Sequence, residues 1–365
     1  MKICHMTSAH PSKDIRIFYK ECVTLAERGN EVILIAPGSS FKEKGVYVEG
    51  IEDSVSRLRR MLFTSRKVFK KAVEIDADIY HFHDPELLPY GLKLKKRGKH
   101  VFYDSHEDVP RQILAKTWIP KIIRKFVSFI YEKYEKRISV QLDCVFTATE
   151  HIKNIFQRYN CRAESIKNYP LLDDIQCFNQ NYYTRQNLIC YAGGVTEQRG
   201  ITTLVEAVED IDVKVNIAGK AEEEYLNQLK RLKAWRKVNY LGYLDRQAIS
   251  NLYNSSRIGI VTLKDTPNHR FSLPIKMFEY MAAGIPVIAS DFSEWKDIVD
   301  MEKCGLCVNP NNKEEIANAI AQLLKEPETA KAMGENGRRA ICEKYSWNNE
   351  GNKMLEVYQE IYTKE

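Results

Sequence analysis

The residues best placed to do chemistry lie in one stretch, FSLPIKMFEYMAAGIPVIASD, at residues 271–291. Its single internal carboxylate, Glu279, stands among residues that favour burial, about one and a half turns into an expected helix. Ser272 precedes the start of that helix, and a free helix N-terminus attracts anions. The pattern therefore predicts a site that holds a phosphate at one end and a hydroxyl-bearing group on Glu279.

The same stretch predicts a helix followed directly by a buried strand. Pro274 suits the first turn of a helix, where its missing N–H costs nothing, and Gly284 is placed to end that helix. The string VIAS after Pro286 is typical of a strand buried on both faces of a parallel sheet. Apolar side chains recur at helical spacing between these ends: Met277, Phe278, Met281 and Ala282.

Length and composition describe an ordinary globular protein. The chain has 365 residues, which favours two domains, and 44% of them are apolar and 28% charged. Neither a secretory signal nor a run of about 18 apolar residues stands out, so we expect no transmembrane helix. The nine cysteines are scattered and odd in number, which favours reduced thiols in a cytoplasmic protein.

Positive charge is concentrated in the first half of the chain. Residues 1–168 carry 31 Lys and Arg against 21 Asp and Glu, whereas the remainder carries 24 against 28. This asymmetry suggests an anionic partner on one side only, with a merely well-solvated surface as the alternative.

Strand and helix signals alternate along the whole chain, which predicts an α/β fold of two doubly wound parallel-sheet domains. The domains are placed at residues 1–168 and 169–348, with the polar stretch 168–187 as the linker. Ligands are expected in a cleft, at the carboxyl ends of the strands. The predicted strands of the first domain are 2–7, 31–36, 78–83, 100–104 and 143–147. Those of the second are 188–192, 214–218, 238–241, 258–263, 287–290 and 306–308.

A glycine pair follows one of these strands, in the string GGVTEQRG. Gly193 and Gly194 would let the backbone approach a ligand closely, and Arg199 would supply a planar cation for phosphate. A turn without function is the plainer reading of such a pair. The Walker A string and a GxGxxG after the first strand are both absent, which disfavours P-loop enzymes and nicotinamide dehydrogenases.

Three histidines lie within or just past the ends of expected strands. His81 and His83 are expected to diverge if their strand runs on through both, so a metal site is disfavoured. His106 lies in a loop just past another strand and could reach the same cleft, although a structural role is equally open. The single CxxC pair, Cys304 and Cys307, lacks a second pair and is expected to be only a turn into a strand.

Two basic amphipathic stretches lie in the first half, at residues 57–71 and 118–137. Each interleaves apolar side chains with Lys and Arg, as helices that lie on anionic membranes do. The alternative is a helix that packs one face on the core and turns the other to solvent.

The order of several strings resembles glycosyltransferase family 4 over essentially the whole length. These strings are HPSKDIRIFYKE, ERGNEVILIAPG, DIYHFHDPELL, YDSHED, YAGGVTEQRG, NYLGYL and LPIKMFEYMAAGIPVIASD. The resemblance implies the GT-B fold of two Rossmann-like domains, with a last helix at about 349–365 that returns to the first domain. It also implies a retaining transferase that uses a nucleoside diphosphate sugar and needs no metal or other cofactor.

The family's functional residues carry over by position. The resemblance implies that Glu279 binds the ribose hydroxyls and that Gly193 and Gly194 line the donor site. It implies that the diphosphate is bound by Arg199, Lys276 and the backbone around Ser272 and Leu273. The base would meet Gly242 and Tyr243, and His106 would lie near the donor sugar. On the diphosphate-facing or acceptor side it places Asp14, Arg16 and His83.

Two departures from the family pattern concern the donor sugar. The family has a second glutamate eight positions before Glu279, where this chain has Phe271, and it has an arginine soon after the glycine pair, where this chain has Val195 and Thr196. The sugar contacts would then come from Asn268, His269 or Arg270.

The leading interpretation is a transferase that builds a cell-surface polysaccharide or glycolipid on a lipid-linked or glycan acceptor. It would work in the cytoplasm, at the inner face of an anionic membrane, with a UDP-sugar favoured over a GDP-sugar and no nucleic-acid partner. The alternatives are a nucleotide-sugar-binding relative that has lost transfer and a GT-B sugar-nucleotide epimerase.

Overall fold

The computed structural model describes residues 1–52, 56, 59–116, 119–171 and 182–363, apart from the side chains of residues 115, 267 and 268. Contacts divide the chain into two units. The first consists of Met1–Asn168 with Asn348–Glu365, and the second of Tyr169–Trp347. Each unit is a parallel sheet with helices, which confirms the predicted α/β fold.

The first unit contains an eight-stranded sheet in the order β3-β4-β2-β1-β5-β6-β7-β8. All neighbouring strands pair in parallel except β3 and β4. The strands are β1 Lys2–Met6, β2 Glu31–Pro37, β3 Phe41–Glu43, β4 Val46–Ile51, β5 Ile79–Phe82, β6 His100–Ser105, β7 Cys144–Thr147 and β8 Ala163–Ser165.

Helices connect these strands. The α-helices are α1 Val23–Glu27, α2 Ser65–Ile75, α3 Leu88–Lys95, α4 Val109–Ala115, α5 Lys121–Ser139 and α6 Glu150–Arg158. Two π-helices, Ile15–Cys22 and Arg60–Thr64, run directly into α1 and α2, and a 3₁₀ turn, Pro85–Leu87, runs into α3. The first π-helix begins at Ile15 because Asp14 caps it, accepting hydrogen bonds from the backbone N–H groups of Arg16 and Ile17.

The second unit contains a six-stranded parallel sheet in the order β11-β10-β9-β12-β13-β14. Its strands are β9 Leu188–Ala192, β10 Lys214–Ala218, β11 Val238–Gly242, β12 Ile258–Val261, β13 Val287–Ser290 and β14 Gly305–Val308. Its α-helices are α7 Ile201–Ala207, α8 Glu223–Lys230, α9 Arg246–Ser255, α10 Pro267–Arg270, α11 Ile275–Ala282, α12 Ser293–Glu302, α13 Lys313–Lys325 and α14 Pro327–Glu343. The 3₁₀ turns are Tyr182–Thr184, Glu197–Arg199 and Lys233–Lys237.

A last helix, α15 Trp347–Tyr362, belongs to the first unit from residue 348 onward. Its Tyr358 is fully buried against the rings of Phe102 and Phe146, in β6 and β7. Tyr358 is more than 200 positions from both rings in the sequence. The resemblance to the family could therefore predict this contact, whereas the local sequence pattern could not.

Sequence patterns missed three strands, β3, β4 and β8. Two of them have only three residues, FKE and AES, and such short segments lack an alternating apolar pattern. Residues 172–181 of the predicted linker lie outside the described residues, as do residues 57, 58 and 118 of the two basic stretches.

The close packing of α14 against the turn after α11 gives a test of the fold. A Cβ atom added at Gly334 in α14 would lie 2.2 Å from the carbonyl oxygen of Gly284. Gly→Ala in a helix ordinarily stabilises by about 1 kcal/mol. We expect Gly334→Ala instead to lower the free energy of unfolding by about 1–3 kcal/mol, because the backbone cannot yield without moving the turn.

Denaturant unfolding followed by circular dichroism measures this change. The exposed neighbour Glu335 provides the control, since Glu335→Ala removes only a surface ion pair with Lys331 and should change stability by at most about 0.5 kcal/mol. A Gly334→Ala protein as stable as the Glu335→Ala protein would contradict the packing described.

Candidate functional site

Each sheet has a switch point, where the strand order reverses. In the second unit β9 lies between β10 and β12, and in the first unit β1 lies between β2 and β5. Loops from adjacent strands diverge at such a point and leave a crevice at the carboxyl edge of the sheet. Most of the predicted site residues lie on these edges.

The glycine loop after β9 meets two cations. Gly193 has φ 140°, and a Cβ atom there would lie 2.5 Å from Nζ of Lys276. A Cβ atom at Gly194 would lie 3.6 Å from Nε of Arg199. The tertiary structure thus brings Lys276 beside the glycine pair and Arg199, which lie together in the string GGVTEQRG.

Lys276 is a buried cation in α11, with only 8% of its surface exposed. Its Nζ atom has no hydrogen-bond partner among the described residues and lies 4.0 Å from the ring centroid of Tyr191. Burial lowers the pKa of Lys276 to about 7; the Arg199 guanidinium lowers it too, and Glu279 raises it. An anion bound between Arg199 and Lys276 would relieve this unfavourable burial of charge.

The carboxylate of Glu279 is oriented by Tyr253 of helix α9. The Tyr253 hydroxyl donates a hydrogen bond of 2.9 Å to Oε2 of Glu279. Burial, with the Glu279 charge second, raises the pKa of Tyr253 well above its usual value, so the hydroxyl stays protonated and keeps donating. Sequence reasoning missed Tyr253, because no motif connects it to a carboxylate 26 positions later.

The N-terminus of α11 differs from expectation. Pro274 is the N-cap residue rather than a first-turn residue. The backbone N–H and the hydroxyl of Ser272 both donate to the carbonyl of His269, at 3.1 and 3.0 Å. The Ser272 N–H is therefore already satisfied within its own turn, which corrects its expected availability to an anion. Leu273 is half-buried and packs against the apolar core of the unit.

The residues proposed to contact the sugar are only partly in place. Arg270 is exposed and forms a bidentate ion pair with Asp265, through Nε at 2.9 Å and through Nη2. The Asn268 side chain lies outside the described residues. Burial lowers the pKa of His269, and so do the positive charges of Arg199 and Lys276.

Phe271 is 42% exposed. It lines a cavity of about 660 Å³, at the carboxyl ends of β12, β13 and β14. Arg199, Lys276 and Glu279 are not among the residues lining this cavity.

Loops after β10 and β11 complete the glycine-lined edge. The carbonyl of Gly242, which has φ 65°, accepts a 2.7 Å hydrogen bond from the N–H of Gly219. A Cβ atom at Gly219 would lie 1.8 Å from the carbonyl oxygen of Gly193, so only glycine fits there. Sequence reasoning did not single out Gly219, although it directly follows a predicted strand. Tyr243 is 74% exposed, with Nζ of Lys220 5.6 Å from its ring centroid.

In the first unit Arg16 lies in the π-helix Ile15–Cys22 and is buried. Its Nε and Nη2 atoms bond to both carboxylate oxygens of Asp104, at 2.9 and 3.0 Å, and Nη1 bonds to the carbonyl of Ile166. Burial alone would raise the pKa of Asp104, but Arg16 holds it well below its usual range. Arg16 is thus committed to an internal ion pair, and Asp14 to capping the helix.

His83 and His106 both approach Asp104. Nδ1 of His83 and Nε2 of His106 each lie 3.5 Å from Oδ2 of Asp104. Burial lowers the pKa of His106, so its imidazole is neutral at pH 7. His83 is buried just past the end of β5 at Phe82, so the strand does not run on through both histidines, and the rings of His81 and His83 lie 4.5 Å apart.

Two residues of this edge were not predicted. His10, in the loop after β1, lies 3.6 Å from a carboxylate oxygen of Asp14 and 3.5 Å from one of Asp84. Asp84 in turn accepts hydrogen bonds from the hydroxyl of Thr7 and the N–H of Ser8, at 2.8 and 2.6 Å. Their positions in the sequence could have identified them, because His10 and Asp84 follow the two strands on either side of the switch point.

Comparison with known proteins identifies the family of both units. Residues 174–340 match the family described as "Glycosyl transferases group 1", and residues 16–168 match "Glycosyltransferase Family 4". An uncharacterized glycosyltransferase of Methanocaldococcus jannaschii is 29% identical over 180 residues, 48% of this chain and 45% of that protein. The chain thus spans less than half the length of that relative.

Two further similarities cover nearly the whole chain. A phosphatidyl-myo-inositol mannosyltransferase of Mycolicibacterium smegmatis is 22% identical over 358 residues, 92% of this chain and 87% of that protein. The structure of the Anabaena protein HepE in complex with UDP and glucose superposes with a TM-score of 0.75 at 14% identity, covering 99% of this chain and 100% of the other. With family matches on both units and two parallel α/β sheets, the chain belongs to glycosyltransferase family 4 and has the GT-B fold.

Proposed function

We propose that this protein is a retaining transferase that moves a sugar from a nucleoside diphosphate sugar to a glycan or lipid-linked acceptor. A UDP-sugar is favoured over a GDP-sugar, and the transfer itself requires no metal ion. The product would be a cell-surface polysaccharide or a glycolipid. Names of relatives support the acceptor class, among them the phosphatidyl-myo-inositol mannosyltransferase and an O-antigen chain mannosyltransferase of Escherichia coli.

The observation that carries the proposal is the buried ammonium of Lys276 beside the glycine loop. A buried cation without a hydrogen-bond partner is unfavourable unless a ligand supplies negative charge. Arg199 adds a second positive charge, and Gly193 and Gly194 leave room for a ligand against the backbone. A diphosphate fits this combination of two cations and a side-chain-free loop.

The same groups would assist departure of the nucleoside diphosphate. As the bond from the sugar to the diphosphate breaks, negative charge accumulates on the leaving phosphate oxygens. Arg199 and protonated Lys276 would stabilise that charge where a metal ion does so in other transferases. Glu279, held by Tyr253, would bind a ribose hydroxyl and fix the nucleotide relative to these cations.

An exposed apolar and basic surface on α5 supports an anionic membrane as the place of work. Core packing was the alternative for this helix, but Ile122 is 95% exposed and Phe126 64% exposed. Phe129 and Ile130 are at least half exposed, and lysines and arginines alternate with these residues. Apolar side chains flanked by cations fit a bilayer that contains anionic lipid. Among the described residues no helix is long and apolar enough to span a bilayer.

Donor turnover tests the proposal as a whole. A panel of UDP-, GDP- and ADP-sugars should include one that raises the melting temperature and is consumed in the presence of an acceptor extract. Both Arg199→Ala and Glu279→Ala should abolish consumption. Binding without turnover would identify a relative that has lost transfer, and product formed without acceptor would identify an epimerase; either result would contradict the proposal.

The lowered pKa of Lys276 predicts a pH dependence of nucleotide binding. Above pH 7 the free protein must take up a proton to present an ammonium to the diphosphate, so affinity should fall by up to about tenfold per pH unit. The terminal phosphate of UDP, with a pKa of about 6, is already ionised in that range. Isothermal titration calorimetry of UDP between pH 7 and 9 measures the slope.

Two variants frame that measurement. Lys276→Gln should lower UDP affinity about tenfold to a hundredfold at pH 7 and flatten the slope. Lys296→Gln removes an exposed lysine that pairs with Asp300 in the same unit and should retain both affinity and slope. Equal slopes in wild type and Lys276→Gln would show that Lys276 does not meet the diphosphate.

Discrimination between ribose and deoxyribose tests Glu279. We expect wild type to bind UDP more tightly than 2′-deoxy-UDP, and Glu279→Ala to lose most of that preference because the hydroxyl acceptor is gone. Tyr253→Phe should lower UDP affinity about threefold to tenfold by freeing the carboxylate to rotate. Tyr225→Phe, which removes a hydrogen bond to Thr202 in the same unit, is the control and should leave the preference unchanged.

Vesicle flotation tests the membrane surface. The double variant Ile122→Ser and Phe126→Ser should bind anionic vesicles at least about tenfold more weakly than wild type at low salt, because it removes apolar area that would enter the bilayer. Met301→Ser removes an exposed apolar side chain of the second unit and should bind like wild type. Failure of the wild type to float with anionic vesicles would refute membrane contact.

A further inference from the structure

Three imidazoles and a carboxylate lie buried together in the first unit. His5 in β1 and His81 in β5 are paired in register, and His83 immediately follows β5. Glu21 reaches the same point from the π-helix Ile15–Cys22. All four side chains are at most 2% exposed, so water cannot satisfy their polar atoms.

The histidine nitrogens lie too far from the Glu21 carboxylate for hydrogen bonds. Oε2 of Glu21 lies 3.7 Å from Nδ1 of His5, 3.7 Å from Nε2 of His83 and 3.8 Å from Nδ1 of His81. Hydrogen bonds of this type are about 2.7–3.2 Å long. Neither oxygen of Glu21 has a hydrogen-bond partner among the described residues, although Nε of Arg16 lies 3.0 Å from Oε1.

The same distances suit a metal ion. Nδ1 of His5 and Nε2 of His83 are 3.0 Å apart, and each is 3.7 Å from Oε2 of Glu21. The point equidistant from the three atoms therefore lies about 2.0 Å from each, and bonds from zinc to imidazole nitrogen or carboxylate oxygen are about 2.0–2.2 Å long. Nitrogen-rich ligands favour zinc over calcium or magnesium, which prefer oxygen.

We propose that His5, His83 and Glu21, with His81 as the fourth ligand, form a structural site for a divalent ion with the ligand preferences of zinc. The site would join β1, β5 and the π-helix inside the first unit. Because all four groups are buried, the coordination is closed, as in structural sites, and no position is open to a substrate. The inference is independent of the proposed function and leaves the transfer step without a metal.

Two neighbours bear on the site. Arg16 places a positive charge beside Glu21, but its bidentate pairing with Asp104 offsets that charge. The Tyr358 hydroxyl lies 2.6 Å from Nδ1 of His81, so this hydrogen bond must be exchanged when that nitrogen binds the ion. Removing the hydroxyl should therefore not weaken metal binding. If the four side chains formed only a hydrogen-bonded array, neither wild type nor Tyr358→Phe would contain metal.

Metal content of the full chain tests the proposal. Protein without a polyhistidine tag is unfolded, refolded with one equivalent of Zn²⁺, freed of loose metal on a chelating resin and analysed by mass spectrometry of the elements. We expect about one zinc per chain, and a Co²⁺-refolded sample should show the visible absorption of a tetrahedral nitrogen and oxygen site. Wild type without bound zinc or this spectrum would overturn the proposal.

Variants locate the ion. Glu21→Gln and His83→Gln should each reduce zinc to below about a tenth of an equivalent, whereas Tyr358→Phe should retain one equivalent. His100→Gln changes another buried histidine of the same sheet, outside the group, and should also retain it. Variants that fail to fold are replaced by His5→Cys, which keeps a zinc ligand and should shift the Co²⁺ spectrum. Zinc held equally by Glu21→Gln and wild type would place the metal elsewhere and overturn the proposal.

Discussion

Parallel strand pairing is the constraint on which both units depend. A parallel strand must be followed by a crossover that returns the chain to the starting edge, so the carboxyl ends of the parallel strands all open on the same side of the sheet. Residues far apart in sequence meet there for that reason alone. Gly193 and Gly219 follow β9 and β10, Gly242 ends the neighbouring strand β11, and the three glycines touch backbone to backbone. Contact this close excludes side chains, which leaves the edge open to a ligand.

Buried charge is handled in two different ways at these edges. Arg16 is enclosed together with its counter-ion, Asp104. Its Nε and Nη2 atoms both donate hydrogen bonds to the Asp104 carboxylate. Lys276 is enclosed, and its Nζ atom has no hydrogen-bond partner in the part of the chain that the structure describes. The first arrangement is self-sufficient and holds the π-helix to β6, whereas the second is unfavourable until an anion arrives. Whether a buried cation is already paired therefore distinguishes a structural ion pair from a candidate ligand-binding group, and the number of cations does not.

The crowding of titratable groups in the first unit has the same origin. β1, β5 and β6 are neighbours, and each carries a histidine or an aspartate at its carboxyl end. Desolvation then decides their state: His106 is neutral at pH 7, and Asp104 stays charged only because Arg16 accompanies it. A neutral and a charged side chain can therefore lie next to each other, and the sequence pattern alone does not show which of the two is charged.

Sequence patterns were enough to predict the alternation of strands and helices and to single out the stretch that bears Lys276 and Glu279. Apolar runs and the glycine positions carry that information locally, and the chain order of family strings carries the rest. Most strand bounds were predicted to within two residues, and the misses were strands of three residues or a strand beside a short hairpin, where no period can be read.

Which side chains face one another became clear only from the folded structure. Tyr253 orients Glu279, Asp104 neutralises Arg16, and the apolar side chains of α5 stay exposed rather than packed. Each of these depends on a contact between distant segments or on the absence of a covering element. A local pattern records how one segment divides its faces, but not which neighbour, if any, lies against each face, and that is why the partners had to come from the fold.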